Sequence, residues 1–322
     1  MRLSPHTSRR LKLRQLEVLL SVAQWGGMAK AAQHLAISQP VVSKTIADLE
    51  NALGVRLFDR TPQGVEPTLY GRALLKRSLA IFDDLKTSVS EIEFLADPTA
   101  GQLQIGSSEI MAAGLVATVI ERLSSKYPRI DFRVEQATSA TLVDRLRERQ
   151  DELMIGRLPE PFLDEDLTTT ILYHDRLRVV AGLQSRWASR RKITLADLVD
   201  EPWCVPSPDI NATGSQFADA FRASGLTVPR IAVTAVSAQL ATSLLAHGRF
   251  LGILGESSFM HFNAKRLSLK MLPIELPTQP YPVAIVILKS RTISPVAQLF
   301  IECAHEIAMP LGIGRSRLAG VS

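Results

Sequence analysis

The stretch AAQHLAISQPVVSKTIADLENALGVRLFDR, residues 31–60, constrains the fold more than any other part of the chain. Its apolar residues recur at helical spacing in two short runs: Ala31, Ala32 and Leu35, then Ile37, Val42, Ile46 and Leu49. Only a few residues separate the runs, so two helices must meet at a tight turn. Ser38 is expected to cap the second helix by accepting a backbone hydrogen bond. Pro40 falls in that helix's first turn, where a missing N–H costs nothing. Once the apolar face is buried, Gln39, Ser43, Lys44 and Ala47 face outward. Small and hydrogen-bonding side chains at the start of an exposed helix suit a DNA major groove.

The charge distribution agrees. Residues 1–80 hold 12 Lys/Arg against 5 Asp/Glu, whereas residues 81–98 hold Lys86 against five acids. The other 224 residues carry 24 basic and 22 acidic groups. Positive charge therefore sits with the two-helix motif, as phosphate binding requires.

The next segment, GVRLFDRTPQGVEPTLYGR (residues 54–72), has Gly64 between two short runs and Pro62 and Pro67 at their edges. This predicts a two-stranded wing flanked by Arg56 and Arg60 as phosphate contacts. Thr68 can then cap a long helix. Along it Leu75, Ser78, Phe82, Leu85, Val89, Ile92 and Ala96 alternate in steps of three and four, a seam suited to pairing with a second copy. ADPTAG, residues 96–101, ends the helix as a hinge.

The quoted motif, followed by PTLYG, resembles the N-terminal signature of LysR-type transcriptional regulators. The resemblance implies an N-terminal all-α winged helix-turn-helix with a long linker helix that mediates dimerisation. A C-terminal α/β two-lobed domain, similar to a periplasmic binding protein, would hold the effector. The expected bounds are 1–67 for DNA binding, 68–98 for the linker helix and 99–322 for the effector domain. Lobe I would comprise 99–173 and 273–322, and lobe II 174–272. The family's base-reading positions fall on Gln39, Pro40, Ser43 and Lys44, entered from Ser38, and its phosphate-binding arginine on Arg60. Two departures stand out. The basic arm before Leu13 is longer than is usual, and WGGMAKAA stands where a Ser-Phe or Ser-Met pair is common, so Gly27 loosens that helix start.

The remaining residues fit this plan on their own terms. GQLQIGSS reads as a strand followed by a helix through Leu115, Ile120 and Leu123. DFRVEQATSATLVDRLRERQDELMIGRL and RIAVTAVSAQLATSLLAHGRFLGILGE repeat the strand-cap-helix-strand order. Strands alternating with helices predict parallel sheets covered on both faces, with ligands beyond the strand ends. Ser107, Ser108, Thr138, Ser139, Thr141 and, from the opposite lobe, Ser237 are the candidate effector-binding residues. YPVAIVILK and the helix from Pro295 to Ala308 would return to the first lobe.

Enzymatic readings find little support. No nucleophile elbow, zinc-protease motif, phosphate loop or dinucleotide-binding turn is present. The six histidines, His6, His34, His174, His247, His261 and His305, lack ligand spacing. Cys204 and Cys303 are far apart, as suits a reducing cytosol, and Cys204 reads as a core thiol. Asn211-Ala-Thr213 is a glycosylation pattern without meaning there. No apolar run is long enough for a membrane helix, and the basic N-terminus lacks a cleavage site. A free solute-binding protein shares the two-lobed plan but would need an export signal and no DNA-binding third. No cofactor or metal is expected. The expected partners are double-stranded operator DNA, a small-molecule effector (a sugar or an organic or aromatic acid), the chain itself as homodimer or homotetramer, and RNA polymerase. The sugar or aromatic-acid class rests on LMIGRLPEP and QPVVSKTIADLE, which resemble one catabolic subgroup.

Overall fold

The computed structural model describes residues 11–62, 64–158, 164–206, 212–235, 237–257 and 268–313. The basic arm before residue 11, His6, Asn211 and His261 lie outside them. The chain divides into two compact units, Met1–Val89 and Ser90–Ser322.

In the first unit, three helices α1 (Leu13–Trp25), α2 (Met28–His34) and α3 (Gln39–Leu53) precede the antiparallel strands β1 (Phe58–Thr61) and β2 (Gly64–Pro67). Their apolar stripes converge as the spacing requires. Val18, Leu19, Val22, Ala31, Ala32, Val42, Ile46, Leu49, Leu57 and Phe58 form one buried cluster. Each large aliphatic member contributes about 1.5–3 kcal/mol by leaving water. Gly54 closes α3 in the left-handed region, at φ 70°, which a side chain would strain. Helix α4 (Leu69–Ala96) starts at Thr68, whose Oγ1 accepts the Gly71 N–H at 3.0 Å. Gly71 is required here, since a Cβ would lie 2.0 Å from the Leu57 carbonyl oxygen.

The second unit contains two five-stranded sheets. The first has order β4 (Arg129–Gln136), β3 (Ala100–Ser107), β5 (Leu153–Arg157), β12 (Tyr281–Leu288), β6 (Leu167–Asp175). The second has order β11 (Leu269–Glu275), β7 (Leu177–Gly182), β10 (Leu251–Gly255), β8 (Trp203–Val205), β9 (Ile231–Thr234). The helices are α5 (Glu109–Met111), continuing through a π-helical turn (Ala112–Val116) into α6 (Ala117–Lys126), then α7 (Ser139–Arg147), α8 (Ala212–Ala223), α9 (Ala238–Ala246) and α10 (Pro295–Ile313).

Wholly parallel sheets were the expectation, and the structure corrects it: both sheets are mixed. β3, β4 and β5 are parallel, as are β8, β9 and β10, but β12 runs antiparallel to β5 and β6, and β7 to β10 and β11. The cause is the crossing between sheets. Only Arg176 separates β6 from β7, and a direct continuation of this kind has no room for the helical crossover that parallel pairing needs. The second crossing runs from β11 to β12. Both crossings meet at Asp175, which is 1% exposed. Its Oδ1 accepts the N–H groups of Arg176 and Ser257, each at 2.9 Å, and its Oδ2 the Tyr281 hydroxyl at 3.1 Å.

Candidate functional site

The DNA-facing surface is built from α3 and the wing. With Val42, Ile46 and Leu49 turned inward, Ser38, Gln39, Pro40, Ser43 and Lys44 are all exposed on the opposite side. Ser38 does occupy the N-cap position, but its hydroxyl makes no capping bond, contrary to expectation. The proline explains this. A cap hydroxyl serves the second or third helical N–H. Pro40 has none, and Val41 N–H already bonds the Ser38 carbonyl at 3.0 Å. The Ser38 hydroxyl is thereby free for a ligand.

The turn before α3 contains a strained residue. Ala36 has φ 53°, a left-handed conformation that costs a non-glycine residue about 1–2 kcal/mol. That turn sets the angle between α2 and α3. Behind it, Glu50 Oε1 accepts the N–H of Leu57 at 2.7 Å and of Phe58 at 3.3 Å, fixing the wing to α3. Arg56 and Arg60 are exposed at the base of the wing and on its first strand. Arg60 stands opposite Val65.

In the second unit, the strand ends line up. Ser107 is in register with Gln136 on one side and Ile155 on the other, so the residues after β3, β4 and β5 share one sheet edge. Ser107 is fully buried and its hydroxyl bonds the Ile155 carbonyl at 3.2 Å, so its side chain serves the sheet. Ser108 is half-buried and opens the helix run at Glu109. Thr138 caps α7 by accepting Thr141 N–H at 3.4 Å, and the two hydroxyls lie 3.1 Å apart; Ser139 is exposed beside them. Ser237 caps α9 by accepting Leu240 N–H at 3.3 Å.

Two residues that the sequence did not single out bring the lobes together here. Glu109 reaches α9: Oε2 accepts Ala238 N–H at 2.7 Å, and Oε1 accepts Gln239 N–H at 3.0 Å and lies 3.4 Å from Ser237 Oγ. Arg157, ending β5, donates through Nη1 to Thr213 Oγ1 of α8 at 3.3 Å and lies 4.5 Å over the Tyr281 ring. Its Nε and Nη2 are buried without a partner. Burial pushes the Tyr173 phenol up to about 12 and raises that of Tyr281 as well, so both remain neutral hydroxyls beside Arg157. No local pattern marks Glu109, since its partners lie 128–130 residues away.

Among the described residues no group of His, Cys, Asp and Glu is placed to hold a metal. Among them also, no helix is long and apolar enough to cross a membrane. Cys204 is buried, and burial raises its thiol, consistent with a packing role.

A winged helix-turn-helix joined by a long helix to a two-lobed α/β domain defines a DNA-binding regulator with a ligand-receiving domain. The chain belongs to the LysR family: residues 13–72 match the bacterial regulatory helix-turn-helix protein of that family, and residues 96–308 match the LysR substrate binding domain. It is 29% identical over 300 residues to the HTH-type transcriptional regulator GbpR of Azospirillum brasilense, covering 90% of this chain and 84% of that one. Its fold is similar to that of full-length OxyR from Pseudomonas aeruginosa, with TM-score 0.66 at 20% identity over 92% of this chain and 95% of the other. Full-length CbnR in complex with its target DNA gives TM-score 0.61 at 20% identity, covering 92% and 99%. The chain is thus a transcriptional regulator with a DNA-binding and an effector-binding domain.

Proposed function

We propose that the chain is a ligand-responsive cytoplasmic regulator of catabolic or transport genes, divided as 1–67, 68–98 and 99–322, with lobe I comprising 99–173 and 273–322 and lobe II 174–272. Gln39, Pro40, Ser43 and Lys44, entered from Ser38, read base edges, while Arg56 and Arg60 hold phosphates. Copies pair through α4 and associate further through their effector domains into a tetramer on paired operator sites, where RNA polymerase is a further contact. The effector is a sugar or an organic or aromatic acid held between the lobes by Ser108, Thr138, Ser139, Thr141 and Ser237, with Ser107 behind them in the sheet. The observation that carries this reading is the exposed polar edge of α3 beside two exposed wing arginines.

Replacing Gln39 by Ala is expected to weaken operator binding by about 1–3 kcal/mol, with little change on random DNA. Arg60→Ala is expected to weaken both and to reduce the salt slope by about one unit. Fluorescence anisotropy across a salt series measures each. An unchanged preference for operator over random DNA in Gln39→Ala would show that α3 is not the reading helix.

The effector cleft has a separate test. Ser108→Ala and Thr138→Val should abolish the effector's influence on transcription while unliganded operator binding persists, because the two sites are distinct and coupled. Wild-type affinity of both variants for a confirmed effector, by calorimetry, excludes this cleft.

A further inference from the structure

The contact between Glu109 and α9 is unusual in its chemistry. The first N–H groups of any helix lack intrahelical partners and favour negative charge. In α9 the Leu240 N–H is served by the local cap Ser237. The N–H groups of Ala238 and Gln239 are served by a carboxylate from the other lobe. The chain thus holds an anion of its own at a position suited to anions in general.

A second, independent observation comes from Arg157, on the strand neighbouring β3. A guanidinium carries five N–H donors, and buried donors left unpaired are costly. Arg157 leaves Nε and Nη2 buried and unpaired. Its acidic neighbour does not serve them, because both Asp175 oxygens already accept from Arg176, Ser257 and Tyr281. Both oxygens of Glu109 are likewise engaged. Around this edge, the described carboxylates are occupied and two cationic donors are open. A neutral sugar needs acceptors as well as donors; a carboxylate needs donors alone.

We infer that Glu109 is a tethered carboxylate standing where an effector carboxylate binds, so that the effector is an organic acid whose arrival releases lobe I from α9. This rests on the interlobe cleft being the effector site. It selects the acid from the two effector classes, and it makes binding a displacement that loosens a contact between lobes. Glu109 acts as a tethered competitor: the effector must outbid a group held permanently at high local concentration. Removing it should therefore raise affinity for acids and loosen α9 at the same time.

The test uses the full chain, with acetate as the probe. Amide hydrogen exchange across residues 237–246 is compared in the wild type, Glu109→Ala and Glu109→Gln. Glu109→Ala should speed exchange at the start of α9 by about tenfold, the factor expected for one charge-assisted hydrogen bond. Glu109→Gln, which keeps an acceptor without charge, should fall between. Added acetate should restore protection in Glu109→Ala, whereas equal chloride or glucose should not. Unchanged exchange in both variants overturns the clasp. Faster exchange that acetate fails to restore, or that glucose restores equally, overturns the carboxylate assignment. Either failure is distinguishable from failure of the cleft, which is read from the affinity of Ser108→Ala and Thr138→Val for a confirmed effector.

Discussion

Trp203→Ala is expected to cost about 3–5 kcal/mol, a large part of the stability of a domain. Trp203 is fully buried on β8, with its ring centroid 4.8 Å from that of Phe217 and 5.7 Å from that of Phe221. The three rings form a tilted and edge-on cluster, the arrangement favoured by their charge distribution. Truncation to a methyl removes most of this packing and leaves a cavity that surrounding strands can only partly close. It also removes the donor to the Leu198 carbonyl, which the indole N–H reaches at 3.1 Å. Trp203→Phe keeps a ring and should lose less. Urea denaturation followed by far-UV circular dichroism measures both, and a loss under about 1 kcal/mol in Trp203→Ala would contradict the cluster's role in the second lobe.

The second large effect is expected in association. Leu85, Val89 and Ile92 are 43%, 54% and 68% exposed along α4, although the seam they continue begins with Leu75 packed against the first unit's core. Leu85→Asp therefore disturbs little within a single chain. In a paired α4 it would place one unpaired charge from each copy in an apolar contact, at a cost of several kcal/mol. Dimer affinity should fall by two orders of magnitude or about that, seen by analytical ultracentrifugation, with far-UV circular dichroism unchanged. Unaltered self-association would assign the stripe to some other contact.

What was legible in the sequence follows from range. The helix-turn-helix was readable because Ala31, Val42, Ile46 and Leu49 repeat within a few turns and Pro40 marks a helix start. The wing was readable from Gly64 between two short runs, and α7 and α9 from their caps Thr138 and Ser237. The mixed sheets were not readable, because whether a strand such as β7 or β12 runs parallel depends on where the chain changes sheets. Ser38 looked like a cap because its residue type says so, but Pro40 two positions later removes one N–H and the backbone takes the next. Ser107 looked like a ligand group for the same reason, yet its hydroxyl is absorbed by a neighbouring strand. Glu109 and Arg157 carry no local signature at all. Their meaning comes only from partners on another sheet.

Asp175 gives the two-lobed unit a mechanical property. The outgoing crossing, the incoming strand β12 and the segment after β10 are all fastened to this one carboxylate. A joint pinned at one point behaves as a pivot: the lobes can swing about it, but they cannot slide apart without breaking three hydrogen bonds together. The small release at Glu109, at the far end of the lever, is thereby converted into rotation and carried along β12 toward α10.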